Sequence, residues 1–209
     1  ISELGDKFLD LINPSDDSSE QADLGGDATL VAVDEYGDAT ISEIEELKSL
    51  SDDALIEMAI AKGVDFELDA DGNLSNKDDL IKALLENSAN LRALIDEFKN
   101  NGGTFILYFG YDDAEIDDVS TNTIIGHASF MQENPTINLR LEGHADERGT
   151  REYNLALGEN RALSVKEILG LYNLSDRIIV VSYGEESPIL VGSNEMAWEE
   201  NRRVEFSYY

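Results

Sequence analysis

The sequence predicts an α+β fold over residues 104–209, preceded by a small, mostly helical and acidic module over residues 40–103. Two observations support this prediction. Apolar residues recur with a helical period across the module, whereas short runs rich in branched and aromatic residues alternate with helical stretches beyond residue 104. With 209 residues, the chain is long enough to bury a sizeable core. An acidic linker with a short helix is expected over residues 1–39.

Within that first segment, three elements are predicted. The apolar residues of 1–12 fall near one face of a short amphipathic helix. Residues 13–29 are small, acidic and without a period, which is typical of a flexible linker. Residues 29–33 combine β-branched with other apolar residues, which favours a short strand.

The helical module begins with a capping signal. Thr40 and Glu43 have the spacing of a capping box, so a helix is expected from there. A second short helix is expected to stop at Gly63. Ser75 and Asp78 repeat the capping spacing before a long apolar stripe that ends at the Asn-Asn-Gly-Gly sequence of residues 100–103.

Residues 45–86 resemble the helix–extended loop–helix modules of the SAP, LEM and related families, through their apolar spacing and a Lys-Gly-Val turn. In those families the module binds DNA or a protein partner. Because this module is strongly acidic, DNA binding is not expected, since nucleic-acid affinity depends on Lys and Arg. A protein partner and a plain helical spacer remain open.

The connection over residues 67–78 partly imitates a calcium-binding loop, with acids at several ligand positions and Gly72 at the sixth. Asp78 stands at the twelfth position, where the usual ligand is a Glu that binds with both oxygens. The Asp side chain is too short for that grip. A turn between two helices explains the same residues, and no metal site is predicted.

Beyond residue 104 the predicted elements alternate in type. Their order is β-α-β-α-β-β, which implies a mixed sheet with both helices packed on one face. Acidic residues begin the first helix, which suits the helix dipole. The elements are expected over residues 104–111, 117–134, 136–143, 151–172, 177–184 and 202–209.

Composition excludes several classes of function. There are 15 Lys and Arg against 45 Asp and Glu, a net charge of −30 that disfavours nucleic acids and anionic membrane surfaces. Cysteine is absent, and no apolar run approaches the roughly 20 residues of a membrane-spanning helix. The sequence has no GxSxG, HExxH or phosphate-binding glycine-rich motif. No enzyme activity, catalytic residue or cofactor is therefore predicted.

The chain starts at Ile1 rather than Met. A removed targeting segment and a sequence that begins downstream of one are both open.

A polar loop over residues 143–150 lies directly before the helix that carries Arg161. On this spacing, the carboxylate of Asp146 and the guanidinium of Arg161 could face one small pocket. Two opposite charges held apart at a pocket suit a zwitterionic ligand, such as the free end of a diamino acid.

The residues around this loop resemble OmpA-like peptidoglycan-binding domains, and most closely their peptidoglycan-associated lipoprotein branch. The similarity covers residues 104–209 and includes the segments 142–150, 182–188 and 201–204. The helix reproduces the family signature at Asn154, Leu157, Gly158, Arg161, Ala162, Val165 and Leu169.

The resemblance implies non-covalent binding of the peptide stem of peptidoglycan, chiefly its meso-diaminopimelate residue. Asp146 would accept the ligand ammonium, and Arg161 would clamp a carboxylate. Further contacts carried over from the family are Asp112, Asn154 and Arg202.

The predicted function is therefore a non-catalytic tether between the cell wall and an envelope component, in the periplasm, with the outer membrane as a candidate site of association. A protein partner is expected for residues 1–103. The alternative is a structural subunit of a large assembly, such as a secretion or motor complex or a virion, that uses the same fold for protein–protein contacts.

Overall fold

The computed structural model describes residues 39–209. The predicted helix of 1–12, linker of 13–29 and strand of 29–33 lie outside the described residues. The chain divides into two compact units, one ending at Ile95 and the other running from Asp96 to Tyr209. The domain bounds drawn from the sequence, at residues 40 and 104, stay a prediction.

The first unit is helical. Helix α1 spans Ile41–Ser49, α2 spans Asp52–Lys62, and α3 begins in this unit and spans Lys77–Asn100. The predicted capping box is confirmed, because Thr40 Oγ1 accepts from the Glu43 amide at 3.3 Å while the Thr40 amide donates to the Glu43 carboxylate at 2.7 Å. Helix α2 ends as predicted at Gly63, which adopts the left-handed conformation with φ of 64°. Among the described helices, none is both long and apolar enough to cross a bilayer.

The start of α3 differs from the prediction. Asn76, and not Ser75, caps the helix, since its side-chain oxygen accepts from the amides of Asp78 at 3.1 Å and Asp79 at 3.4 Å. The Ser75 amide instead donates to the Glu67 carbonyl at 3.0 Å. Because this backbone bond holds Ser75 in the extended connection, the helix begins one residue later.

That connection contains a turn that is closed by the side chain of Asp69. One carboxylate oxygen of Asp69 accepts from the amides of Asp71 at 2.9 Å and Asn73 at 2.8 Å. Leu68 and Leu74 form an isolated antiparallel bridge across the turn. No group of three or more His, Cys, Asp or Glu side chains in residues 39–209 is arranged to hold a metal ion.

The second unit contains a four-stranded mixed sheet in the order β1-β4-β2-β3. Strands β2 and β3 are parallel, and β4 is antiparallel to both β1 and β2. The predicted fold class is confirmed, with one addition: a short helix, α6, precedes the last strand. The elements are β1 (Ile106–Tyr108), α4 (Asp118–Glu133), β2 (Leu139–His144), α5 (Arg151–Gly170), a 3-10 turn (Ser175–Arg177), β3 (Ile178–Gly184), α6 (Glu195–Asn201) and β4 (Arg203–Tyr208).

Helices α4 and α5 cover the same face of this sheet. The backbone of α5 at Gly158 lies directly against Gly143 of β2, where an added Cβ would meet the Gly158 carbonyl oxygen at 1.9 Å. On the same face, the His127 ring of α4 stacks on Phe206 of β4 at 4.0 Å between ring centroids. Alternate strand residues on this face, such as Leu141, are fully buried and form the core.

The buried His127 is tied into this core by both ring nitrogens. Its Nε2 lies 2.7 Å from the Thr104 carbonyl oxygen, and its Nδ1 lies 2.7 Å from the Tyr208 hydroxyl. Because a carbonyl can only accept, Nε2 carries the proton, and Nδ1 accepts from the hydroxyl. Burial lowers the pKa of His127 to about 4, so the ring is neutral at physiological pH.

Candidate ligand-binding site

The site forms where two loops meet the first turns of α5. Residues 110–113 follow strand β1, and residues 145–150 connect β2 to α5. Thr150 caps α5 by accepting from the Tyr153 amide at 3.2 Å. This cap fixes where the helix begins, and therefore directs Asn154 back toward the loop.

These segments surround a cavity of about 160 Å³. Three of the predicted ligand-binding residues, Asp112, Asp146 and Asn154, line it together. The two predicted arginines, Arg161 and Arg202, are not among its lining residues; both are buried. The lining residues that the sequence analysis did not select as ligand-binding are Tyr111, Arg148, Gly149, Tyr153 and Leu157.

Asp146 is a buried carboxylate surrounded by arginine donors. Arg148 Nε donates to one oxygen at 2.9 Å, Arg148 Nη2 donates to the other at 2.7 Å, and the Arg148 amide adds a bond at 3.0 Å. Arg202 Nη1 lies 3.4 Å from the second oxygen. Burial opposes ionisation of Asp146, but the hydrogen bonds and charge of Arg148 outweigh it and hold the pKa of Asp146 below its usual value.

Arg161 has no exposed surface and ties the 110–113 loop to the end of strand β2. Its Nε donates to the Asp113 carbonyl at 2.8 Å, Nη1 to the His144 carbonyl at 2.7 Å, and Nη2 to the Gly110 carbonyl at 2.9 Å. Burial, followed by the nearby charge of Arg202, lowers the pKa of Arg161 to about 10, which leaves it protonated at neutral pH. The direct clamp on a ligand carboxylate stays a prediction, and in this conformation the guanidinium braces the loops.

The Arg202 side chain contacts the residue after strand β1, the 145–150 loop and helix α6. Its Nε donates to the Phe109 carbonyl at 3.0 Å, and its Nη1 lies 3.2 Å from the Glu195 carboxylate as well as near Asp146. The side chain is 7% exposed. Arg202 therefore adds positive charge behind the cavity without forming its surface.

Asn154 and Asp112 complete the polar lining. The amide of Asn154 donates to the Asp146 carbonyl at 3.1 Å and to the Glu185 carboxylate. Asp112 is exposed, adopts a left-handed φ of 53°, and accepts from the Tyr153 hydroxyl. This backbone conformation is tolerated by Asp and Asn better than by most residues with a side chain.

Arg148 is flanked by aromatic rings. Its guanidinium carbon lies 4.2 Å from the ring centroid of Tyr111 and 4.0 Å from that of Trp198. The Trp198 indole in turn donates to the Glu147 carboxylate at 3.2 Å. Contacts of this length are favourable cation–π interactions, so the loop arginine is held in place on the cavity wall.

Comparison with known proteins relates this chain to one protein family. The OmpA family matches residues 108–202. The peptidoglycan-associated lipoprotein of Pasteurella multocida is 40% identical over 103 residues, which cover 49% of this chain and 69% of that protein. The chain belongs to the OmpA family. The resemblance identified from the helix signature is thereby confirmed.

Two further relatives agree with this membership. The peptidoglycan-associated lipoprotein of Pseudomonas putida is 44% identical over 99 residues, or 47% of this chain and 59% of that protein. The crystal structure of the peptidoglycan-associated lipoprotein from Burkholderia pseudomallei has 34% identity and a TM-score of 0.50, over 51% of this chain and 91% of that one. The chain thus spans between 59% and 69% of the length of the two relatives compared by sequence.

Proposed function

We propose that this chain binds peptidoglycan non-covalently, through the cavity between the 110–113 loop and helix α5, and tethers an envelope component to the cell wall. Its OmpA-family relatives are named for their association with peptidoglycan. The observation that carries the proposal is the convergence of Asp112, Asp146 and Asn154, from three separate segments, on one cavity. The proposed location is the periplasm, at the outer membrane.

The proposed ligand is the free end of meso-diaminopimelate in the peptide stem, which carries an ammonium and a carboxylate. Asp112 and Asp146 supply negative charge at the cavity for the ammonium. Arg161 and Arg202 supply positive charge behind it, and Asn154 offers an amide at the cavity wall. Oppositely charged groups around one small cavity favour a zwitterion over a ligand with a single charge.

No chemical step is proposed for this site. Binding would leave the stem intact, and the chain would act through its two halves, with the wall held by residues 104–209 and a protein partner held by residues 1–103.

Co-sedimentation of the full chain with purified peptidoglycan sacculi tests the proposal. The native chain is expected to pellet with sacculi, and Asp112→Asn is expected to reduce the pelleted fraction severalfold. Asparagine tolerates the left-handed backbone at this position, so the variant removes charge with little strain. The matched control is Asp176→Asn, which neutralises an exposed aspartate of the 3-10 turn that does not line the cavity.

Pelleting of the native chain and the control, but not of Asp112→Asn, supports the tether. A native chain that stays in the supernatant would contradict it. Incorporation of such a non-pelleting chain into a larger complex would instead favour the alternative of an assembly subunit.

A further inference from the structure

Strand β3 forms an open edge of the sheet in the described part of the chain. The strand order is β1-β4-β2-β3, so β3 (Ile178–Gly184) pairs on one side only, with β2. The core layer is incomplete at this edge: Leu141 of β2 is fully buried, whereas Val180, its partner in β3 on the same face, is only half-buried. A further strand beside β3 would cover Val180 and Ser182 more completely.

Strand β3 also lacks the features that keep edge strands of monomeric proteins from pairing. Such edges are usually short, bulged, or interrupted by charged residues or proline. The other edge strand of this sheet, β1, is only three residues long. In contrast, β3 has seven residues, Ile-Ile-Val-Val-Ser-Tyr-Gly, with no Asp, Glu, Lys, Arg or Pro, and its register with β2 is regular from Ile178 to Ser182. Its outer backbone N–H and C=O groups therefore offer a template for one more strand.

The shape of this edge fits a second copy of the same strand. A strand can pair antiparallel with its own copy across a two-fold axis, which makes the contact self-complementary. An axis at Val180, the middle of the regular part of β3, places Ile179 opposite the partner's Val181 and Ile178 opposite the partner's Ser182. Branched apolar side chains then face each other across the axis, which favours strand pairing.

The distribution of charge favours the same arrangement. Two copies that each carry a net charge of −30 repel each other, so they must meet where acidic residues are absent, as they are in β3. Near the start of β3 lie Arg177 and Lys166, whose ammonium is 2.6 Å from the Ile178 carbonyl oxygen, against one acid, Asp176. The end of β3 is followed by two glutamates, at 185–186. Antiparallel pairing brings the positive end of each strand beside the negative end of the other.

We propose that two copies of this chain pair through β3, antiparallel and centred on Val180, and join their four-stranded sheets into one sheet of eight strands. The inference goes beyond the proposed function and does not depend on it. Where the proposed function also holds, the pair carries two wall-binding cavities, so both can engage one sacculus and retention on the wall increases through multivalency.

Sedimentation velocity of the full chain, at micromolar to submillimolar concentrations, tests the pairing. The dimer fraction should rise with concentration, with a dissociation constant in the micromolar range, because a contact made mainly by one strand pair is small. Association should strengthen in high salt, since screening shortens the range of the repulsion between two acidic chains.

Val181→Lys is the variant expected to disrupt the pair. In the dimer the lysine would be buried against the partner's Ile179, and the dissociation constant should rise at least about tenfold. In the single chain the lysine would stand opposite Glu142 of β2, so the fold should tolerate it. The matched control is Val119→Lys, the same substitution at a position of helix α4 that is 75% exposed, and it should leave the association unchanged.

Cysteine cross-linking tests the register, because the chain has no cysteine of its own. In Val180→Cys the new thiol would face its own copy across the axis, at a backbone separation that a disulfide spans, and mild oxidation should give a cross-linked dimer. In Ser175→Cys the thiol is more exposed, but the two copies would lie roughly 30 Å apart and should stay unlinked.

Three results would overturn the inference. The first is a chain that stays monomeric at every concentration and salt. The second is unchanged association of Val181→Lys, which would place the contact elsewhere on the surface. The third is cross-linking of Val180→Cys that is absent, or no more efficient than that of Ser175→Cys.

Discussion

The carbonyl oxygen of Gly158 lies only 1.9 Å from the position that a Cβ atom on Gly143 would occupy. This backbone contact brings α5 against β2 immediately before the 145–150 loop. It therefore sets the distance between the loop that carries Asp146 and the helix that carries Asn154 and Arg161.

Gly143→Ala should accordingly destabilise the second unit. The added methyl group would overlap backbone atoms, which cannot rotate away as a flexible side chain can, so a loss of about 3 kcal/mol in the free energy of unfolding is expected. Urea denaturation measures this loss. The control is Gly126→Ala in helix α4, where the new methyl would meet only Phe98 at 3.9 Å and should be neutral or slightly stabilising. Equal stability of the two variants would contradict this account of the packing.

Replacing Arg161 with lysine should cost stability even without any ligand. A lysine ammonium cannot reach three carbonyls that diverge around a planar guanidinium, so buried acceptors would be left unpaired. A loss on the order of 3 kcal/mol is expected in urea denaturation. Arg151→Lys is the matched control, because Arg151 is 60% exposed and its ion pair with Glu186 should matter little. Unchanged stability of Arg161→Lys would contradict the role of Arg161 in bracing the loops.

Protonation of His127 should destabilise the fold as the pH is lowered. Burial lowers the pKa of His127 to about 4 from an ordinary value of 6.5, so between these values the unfolded chain binds a proton that the folded chain does not. The free energy of unfolding should therefore decrease as pH falls from 6.5 to 4, by up to about 1.4 kcal/mol per pH unit from this residue.

The comparison that isolates this effect is the native chain against His127→Gln. Other groups titrate in both proteins, so the difference between their stability–pH curves reports His127 alone. The native curve should be the steeper one within the window. Parallel curves would mean that the ring titrates equally in the folded and unfolded chain, against its burial between Thr104 and Tyr208.

Trp198 is the single tryptophan of the chain, so its fluorescence reports on the cavity wall. Arg148→Gln removes the guanidinium that lies 4.0 Å from the Trp198 ring, and should admit water to that face. A red shift of the emission maximum is expected, whereas Arg151→Gln, a change at an exposed residue, should leave the spectrum unchanged. Identical spectra for both variants would argue against the stacked arrangement of Arg148.

The sequence predicted the arrangement of elements better than it predicted the contacts of individual side chains. The order of strands and helices beyond residue 104 followed from period and capping, which are local properties. Helix α6 was not predicted because it is only seven residues long, too short to show a helical repeat of apolar residues. Ser75 was mistaken for a cap because its pairing with Glu67 depends on the turn between them.

For the site, the family resemblance selected three ligand-binding residues that line one cavity, Asp112, Asp146 and Asn154. It could not show that Arg161 is buried, since that depends on carbonyls contributed by residues 17 to 51 positions earlier in the chain. Nor could it single out Arg148, whose aromatic neighbours come from two distant segments. The polar loop over 143–150 was the available signal.

The most direct test of the proposed function compares two stems that differ at one group. Calorimetric titration of the full chain with a muramoyl tetrapeptide containing meso-diaminopimelate is expected to show saturable binding. The same stem with L-lysine in its place, which lacks only the free-end carboxylate, is expected to bind at least about tenfold more weakly. Equal affinity for both stems, or binding of neither, would contradict the claim that this cavity holds the free end of diaminopimelate.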